Sequence, residues 1–171
     1  MTETALPTAS ATYTWVDPAV GLAQLPTLSG MEYLTGILDG RIPEPPIAVL
    51  MNMDIVSVAE GEVVFEANPT QAQFNPLGTI HGGVACTVLD TVLGCAAHST
   101  LPAGTGYTSI DITVSYVRAI QPSAAPIRAT GRVRKGGNRV IFAEAELVDR
   151  DGNLLATATS SLLVFAHRQQ G

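Results

Sequence analysis

The chain is short of charge. Only 14% of its 171 residues are Asp, Glu, Lys or Arg, against roughly 25% in an average soluble domain. So little charge points to surface covered by a partner, most simply a second copy of the chain. Basic residues are scarcest, with nine Lys and Arg against fifteen acids. The net charge of −6 offers no field to attract nucleic acid. Cysteines number two, Cys86 and Cys95. In one helix they stand roughly 13 Å apart, too far for a disulfide within the chain, and no zinc spacing exists. Long apolar runs are also missing: residues 84–97 are the most apolar, yet contain Asp90 and are too short to cross a bilayer. No Lys or Arg precedes Arg41, so a signal peptide is not expected. These absences lead to a cytoplasmic protein with no nucleic-acid, membrane or metal partner.

What is present is enough for one domain. With 46% hydrophobic residues, disorder is excluded for the chain as a whole. Residues 1–28 mix Thr, Ala, Ser and Pro without period and read as a flexible arm. Residues 29–46 read as a short amphipathic helix and a proline linker. Ser29 and Glu32 make a capping box, Gly40 ends the helix, and Pro43, Pro45 and Pro46 prevent its continuation. Residues 47–166 form the main domain. Strands are expected over 51–59 and 62–67, joined at Glu60-Gly61. A loop over 69–78 then leads to a helix over 82–100, apolar almost all round and therefore buried. The remainder alternates as about four strands, with Ile110, Ile112, Val114 and Tyr116 on one face of the first and Ser109, Asp111, Thr113 and Ser115 on the other. The architecture is α+β, an antiparallel sheet wrapped around one long central helix.

One acid interrupts that helix. A buried Asp90 is costly without a reason, and such carboxylates are reactive-site candidates; the bland reading is a loop cap or a pair with Arg118. Gly82-Gly83 opens the same helix, where free N–H groups and the dipole favour negative charge, and glycine lets a carbonyl come close. This is how an oxyanion hole is built; the bland reading is a plain tight turn. Gly82 and Asp90 lie eight residues apart, roughly 12 Å along one helix. One carbonyl cannot touch both, so if both take part Asp90 must come from a second subunit. His81 is read as a donor orienting its loop, with a general base as the alternative, and Thr108 as holding water or the carboxylate, with a routine strand threonine as the bland reading. His98 is expected to face solvent at the helix end.

The run N-P-L-G-T-I-H-G-G, the following L-D-T-x-x-G and the later Y-T-S-I-D resemble the PaaI-like branch of hotdog-fold acyl-CoA thioesterases, over about residues 45–165. The resemblance implies hydrolysis of an acyl-CoA thioester to acid and CoA, with CoA part of the substrate and no separate cofactor. It implies a hotdog dimer, or a dimer of dimers making a homotetramer, with sites shared between subunits. By position, Asp90 matches the catalytic carboxylate, as nucleophile or general base. Gly82 matches the oxyanion donor with Gly83 beside it, and Asn75 the side chain holding nucleophile or water. His81 matches the loop histidine, and Thr108 the hydroxyl assisting the carboxylate. Arg134, Lys135, Asn138 and Arg139 surround a glycine turn that suits the CoA phosphates; a solvated hairpin is the bland reading. Two other readings compete: a non-catalytic acyl-CoA-binding or sensing module, and a hotdog hydratase or dehydratase. The latter needs a His five residues after the Asp, where this chain has Cys95.

Overall fold

The structure, a computed structural model, describes residues 6–166. The first five residues of the arm expected over 1–28 lie outside the described residues. The rest of that arm is not featureless. Residues Ala19–Leu22 form a helical turn, α1, opened by Asp17, whose Oδ1 accepts the Ala19 N–H at 2.8 Å. Gly21 is buried against Tyr33 and Ile42. α2, Gly30–Leu38, carries the expected capping box: Ser29 Oγ accepts the Glu32 N–H at 3.3 Å, and Glu32 Oε2 accepts the Ser29 N–H at 2.8 Å.

The proline linker ends earlier than its prolines suggest. Pro46 occupies the first turn of α3, Pro46–Met51, where its missing N–H costs nothing. Asn52 stops α3 in the left-handed conformation at φ 51°. Residues 47–51 are thus helical, and β1 begins only at Met53 (Met53–Ala59). β2 follows as Glu62–Ala67, and α4 spans Gly82–His98. Four strands follow among the described residues: β3 Thr105–Tyr116, β4 Ile127–Lys135, β5 Val140–Val148 and β6 Leu154–Ala166.

The six strands form one sheet in the order β1-β2-β4-β5-β6-β3, antiparallel at every pairing. α4 carries the chain from the β1–β2 hairpin to the far edge, and the sheet curls around it. Val88, Leu89, Val92 and Leu93 of α4 are fully buried with Val63, Ile127, Leu147 and Leu162 of the sheet. Contact is closest at Gly131 of β4, where a Cβ would lie 2.2 Å from the Val92 carbonyl oxygen. Only glycine fits there.

Two local features differ from the sequence expectation, and both bear on the site. α4 is not apolar all round. Gly83, Cys86, Thr87, Asp90 and Thr91 recur at helical spacing as an open or half-open stripe. The Thr hydroxyls turn back onto the helix, Thr87 Oγ1 to the Gly83 carbonyl (3.0 Å) and Thr91 Oγ1 to the Thr87 carbonyl (2.8 Å). The stripe therefore presents methyl groups and one acid. In β3, Ser109 pairs with Leu162 but Asp111 with Ser161, so Ile110 is an extra residue in a bulge. The bulge puts Ser109 on the helix face with Ile112, Val114 and Tyr116, while Thr108 lies on the outer face beside half-exposed Leu163. No described helix is long and apolar enough to cross a membrane.

Candidate active site

α4 holds the central residues, and its first turn sets their chemistry. His81 is the N-cap residue, and its Nδ1 accepts the Gly83 N–H at 2.8 Å. It thus caps the helix as an acceptor and uses the Gly83 amide. Val84 donates to the His81 carbonyl at 2.9 Å. The Gly82 N–H, at the first helical position, has no partner among the described residues, and the helix dipole makes it the natural seat for developing negative charge.

Tyr116, the last residue of β3, covers this end of the helix. Its hydroxyl donates to the Gly82 carbonyl at 3.0 Å and lies 2.9 Å from Cys86 Sγ. A Cβ on Gly82 would stand 3.1 Å from that hydroxyl, so glycine makes room for the tyrosine as well as for a ligand. The bond to Cys86, then burial, push the phenol up to about 12; it stays protonated at neutral pH. The sequence reading missed Tyr116, whose one signal is an aromatic ending the strand that returns along a glycine-led helix.

Asn75 shares a groove of about 390 Å³ with Gly82, Tyr116 and Arg118. Its side chain is engaged by its own loop: Oδ1 accepts the Leu77 and Thr79 N–H groups (2.9 and 3.2 Å), and Nδ2 donates to Thr79 Oγ1 (2.7 Å). In this chain Asn75 shapes the loop that presents Gly82.

Asp90 lies on the open stripe of α4. Within the single chain it is exposed, which corrects the expectation of a buried acid. Its Oδ1 accepts a hydrogen bond from Ser109 Oγ at 3.0 Å. The hydroxyl on the carboxylate is thus Ser109, not Thr108, because strand alternation turns Thr108 to the other face. Behind Asp90 stand two groups that its charge reaches. Burial pushes the Cys95 thiol up to about 12, with the Asp90 charge adding to it. Burial likewise holds the Tyr107 phenol well above its usual value, again with help from Cys95 and Asp90. His98 is buried between Tyr33 and Tyr107, ring centroids 5.7 and 5.5 Å away, rather than facing solvent as expected.

The basic hairpin stands apart from the Gly82 groove in the single chain. Ser99, just beyond α4, accepts the Gly61 N–H, and Gly61 accepts from Val133, so the hairpin after β4 sits at the C-terminal end of α4. Gly82 is one helix length away, roughly 25 Å. Arg134 is drawn to Glu144 at 3.3 Å, and Arg132 to Glu62 and Glu146 at 2.7 and 3.3 Å. Lys135 and Arg139 have no ion-pair partner among the described residues, and Asn138 is exposed with them. No cluster of three or more His, Cys, Asp or Glu suited to a metal occurs among the described residues.

Residues 77–156 match the family model of the thioesterase superfamily. Acyl-coenzyme A thioesterase 13 of Homo sapiens is 29% identical over 109 residues, covering 63% of this chain and 76% of that protein. Among solved structures, a phenylacetic acid degradation-related protein of Ralstonia eutropha JMP134 is 29% identical, covering 77% of this chain and 98% of its own, with a TM-score of 0.70. The E. coli PaaI protein from the phenylacetic acid degradation operon covers 82% of this chain and 98% of its own, at 21% identity and a TM-score of 0.69, a likeness of fold. With its six antiparallel strands curled around α4 and its match from the Asn75 loop into β6, the chain has the fold of these hotdog thioesterases and is similar to the thioesterase superfamily over residues 77–156.

Proposed function

We propose that the chain hydrolyses an acyl-CoA thioester to the free acid and CoA, at a site completed by two copies of the chain. The observation that carries this reading is the pairing of two half-sites on one helix: an unpartnered Gly82 amide at its start and an open Asp90, held by Ser109, in its middle. Neither half-site suffices alone, and roughly 12 Å of helix separates them.

The sheet offers the way to unite them. β3 is a 12-residue edge strand with half-exposed Ile110 and Tyr116, and such an edge invites pairing. Along it, Ser109 marks the position of Asp90 and Tyr116 that of Gly82. Antiparallel pairing of two β3 strands about Thr113 sets Ser109 of one copy beside Tyr116 of the other. Each Asp90 then faces the other copy's Gly82. The same two-fold reverses the second helix, so the free cations Lys135 and Arg139 of one copy move toward the other copy's Gly82 end, where the CoA phosphates would lie.

In this arrangement the thioester oxygen accepts the Gly82 N–H. Asp90 attacks the carbonyl carbon, or takes a proton from the water that does. The oxyanion of the tetrahedral species rests on the amide and the helix dipole, and one such donor is worth about 10²–10³ in rate. The thiolate of CoA then leaves without needing the strong acid an amine would require, and where Asp90 itself attacked, water hydrolyses the resulting acyl-Asp90 anhydride to the free acid and the regenerated carboxylate. Of the other readings, a hydratase lacks its second base, since Cys95 is a neutral thiol at working pH.

Release of free CoA, followed colorimetrically, tests the proposal. Asp90→Asn should lower kcat at least a hundredfold while binding CoA as the wild type does. Turnover within a few-fold of wild type removes Asp90 from the chemistry. Tight acyl-CoA binding with no turnover by the wild type makes the protein a binding module.

A further inference from the structure

A cavity of about 690 Å³ lies between the N-terminal arm and the helix that carries Asp90. That volume is within the roughly 300–1,000 Å³ of small-molecule sites. Its floor is Thr91 and Cys95 of α4 with Phe65 of β2; its sides are Leu38 and Val49 of α2 and α3; its roof is Trp15. Thr91 follows Asp90 directly on α4, so the cavity lies beside the helical turn that carries the acid.

The charges of the lining select the occupant. Glu44 and Asp54 are the only charged residues of the lining, and both are exposed. Two carboxylates repel the phosphates of CoA and a free carboxylate alike, whereas the depth of the cavity is hydrocarbon. A neutral apolar chain is the ligand that fits. The roof belongs to this chain's own extension, outside the matched residues 77–156. It is also seated: the Asp17 carboxylate accepts the Ala19 N–H at the start of α1, and Gly21 is buried against Tyr33 and Ile42, the latter itself lining the cavity. Trp15 is still 54% exposed, one side to the cavity and the other to solvent.

We propose that this cavity holds the acyl chain of the thioester and that the arm, through Trp15, sets the chain length the protein accepts. The proposal rests on the acyl-CoA reading above and names the part of the substrate that the reading leaves open. Each methylene buried there is worth roughly fourfold in affinity.

Trp15 is the sole tryptophan of the sequence, and it gives a readout separate from turnover. The panel is butanoyl- to hexadecanoyl-CoA, assayed on the full chain, on Trp15→Ala, which removes the roof, and on Val49→Trp, which fills the side. Relative kcat/KM for long over short chains should rise at least tenfold in Trp15→Ala and fall at least tenfold in Val49→Trp. In Asp90→Asn, a dodecanoyl-CoA brominated at its chain end should quench Trp15 emission, and CoA alone should not. If the wild type hydrolyses the panel but both variants keep its ranking within twofold and the brominated chain does not quench, the cavity is not the acyl site and the thioesterase reading stands. If the brominated chain quenches while no ester is hydrolysed, the cavity stands and the thioesterase reading fails.

Discussion

Asp90 carries the one charge on a helix stripe otherwise made of glycine, threonine and cysteine, and a single hydroxyl fixes its side chain. A hydrogen bond to a charged group is worth about 1.5–3 kcal/mol, enough for a tenfold effect or more on a reaction that needs the carboxylate aimed. Ser109→Ala should therefore lower kcat about tenfold, while Thr108→Ala, on the outer face, should leave it within twofold. Steady-state kinetics of the two variants side by side decides which hydroxyl serves the acid, and the reverse ranking would show that the strand shifts by a residue in the working assembly. The placement of Asp90 and Gly82 on one helix is legible in the sequence, because helical spacing alone puts an acid and a free amide on one element. Ser109 is not. A bulge is one extra residue, and one residue turns every side chain of a strand to its other face. Nothing in the alternation of residues 109–116 announces it.

The elements were legible to different degrees for one physical reason each. α4 shows itself as an apolar run too long for a strand, and β4 to β6 by alternation between turn residues. α3 is hidden because proline breaks helices everywhere except at their start, and residues 47–51 are too few to show a period. α1 is hidden because its burial is tertiary: Gly21 fits under Tyr33 only once α2 exists. The close crossing of α4 over β4 is likewise invisible in sequence, yet it governs stability. A methyl at Gly131 would meet backbone, the Val92 carbonyl, rather than a side chain that can swing away. Overpacking of that kind costs about 3 kcal/mol or more, and a domain of this size loses roughly 2–4 °C of Tm per kcal/mol. Gly131→Ala should lower Tm by about 6–12 °C in a thermal melt. An unchanged Tm would mean that helix and sheet stand further apart than described.

At the scale of the whole molecule, the low charge content, the edge strand β3 and the split between Gly82 and Asp90 all support the proposal that the working unit has two copies with crossed sites. The proposal can be tested by making each half-site defective in a different copy. Asp90→Asn removes the acid. Gly82→Pro removes the amide hydrogen with little cost to the helix backbone, since Gly82 is the first helical residue, where proline is tolerated, and His81 before it already has the extended conformation that proline demands (φ −62°, ψ 136°); its Cβ would stand 3.1 Å from the Tyr116 hydroxyl, which must give by a few tenths of an ångström. Each variant alone should be inactive in the CoA-release assay and should match the wild type in sedimentation. Unfolded together and refolded at equal amounts, random pairing makes half the dimers mixed, and each mixed dimer holds one intact site of two, so about a quarter of wild-type activity returns. A site confined to one copy has no such route: every chain in the mixture carries a defect in its own site, and activity stays at the level of the separate variants. The recovered fraction therefore distinguishes crossed sites from self-contained ones without any knowledge of the acyl group.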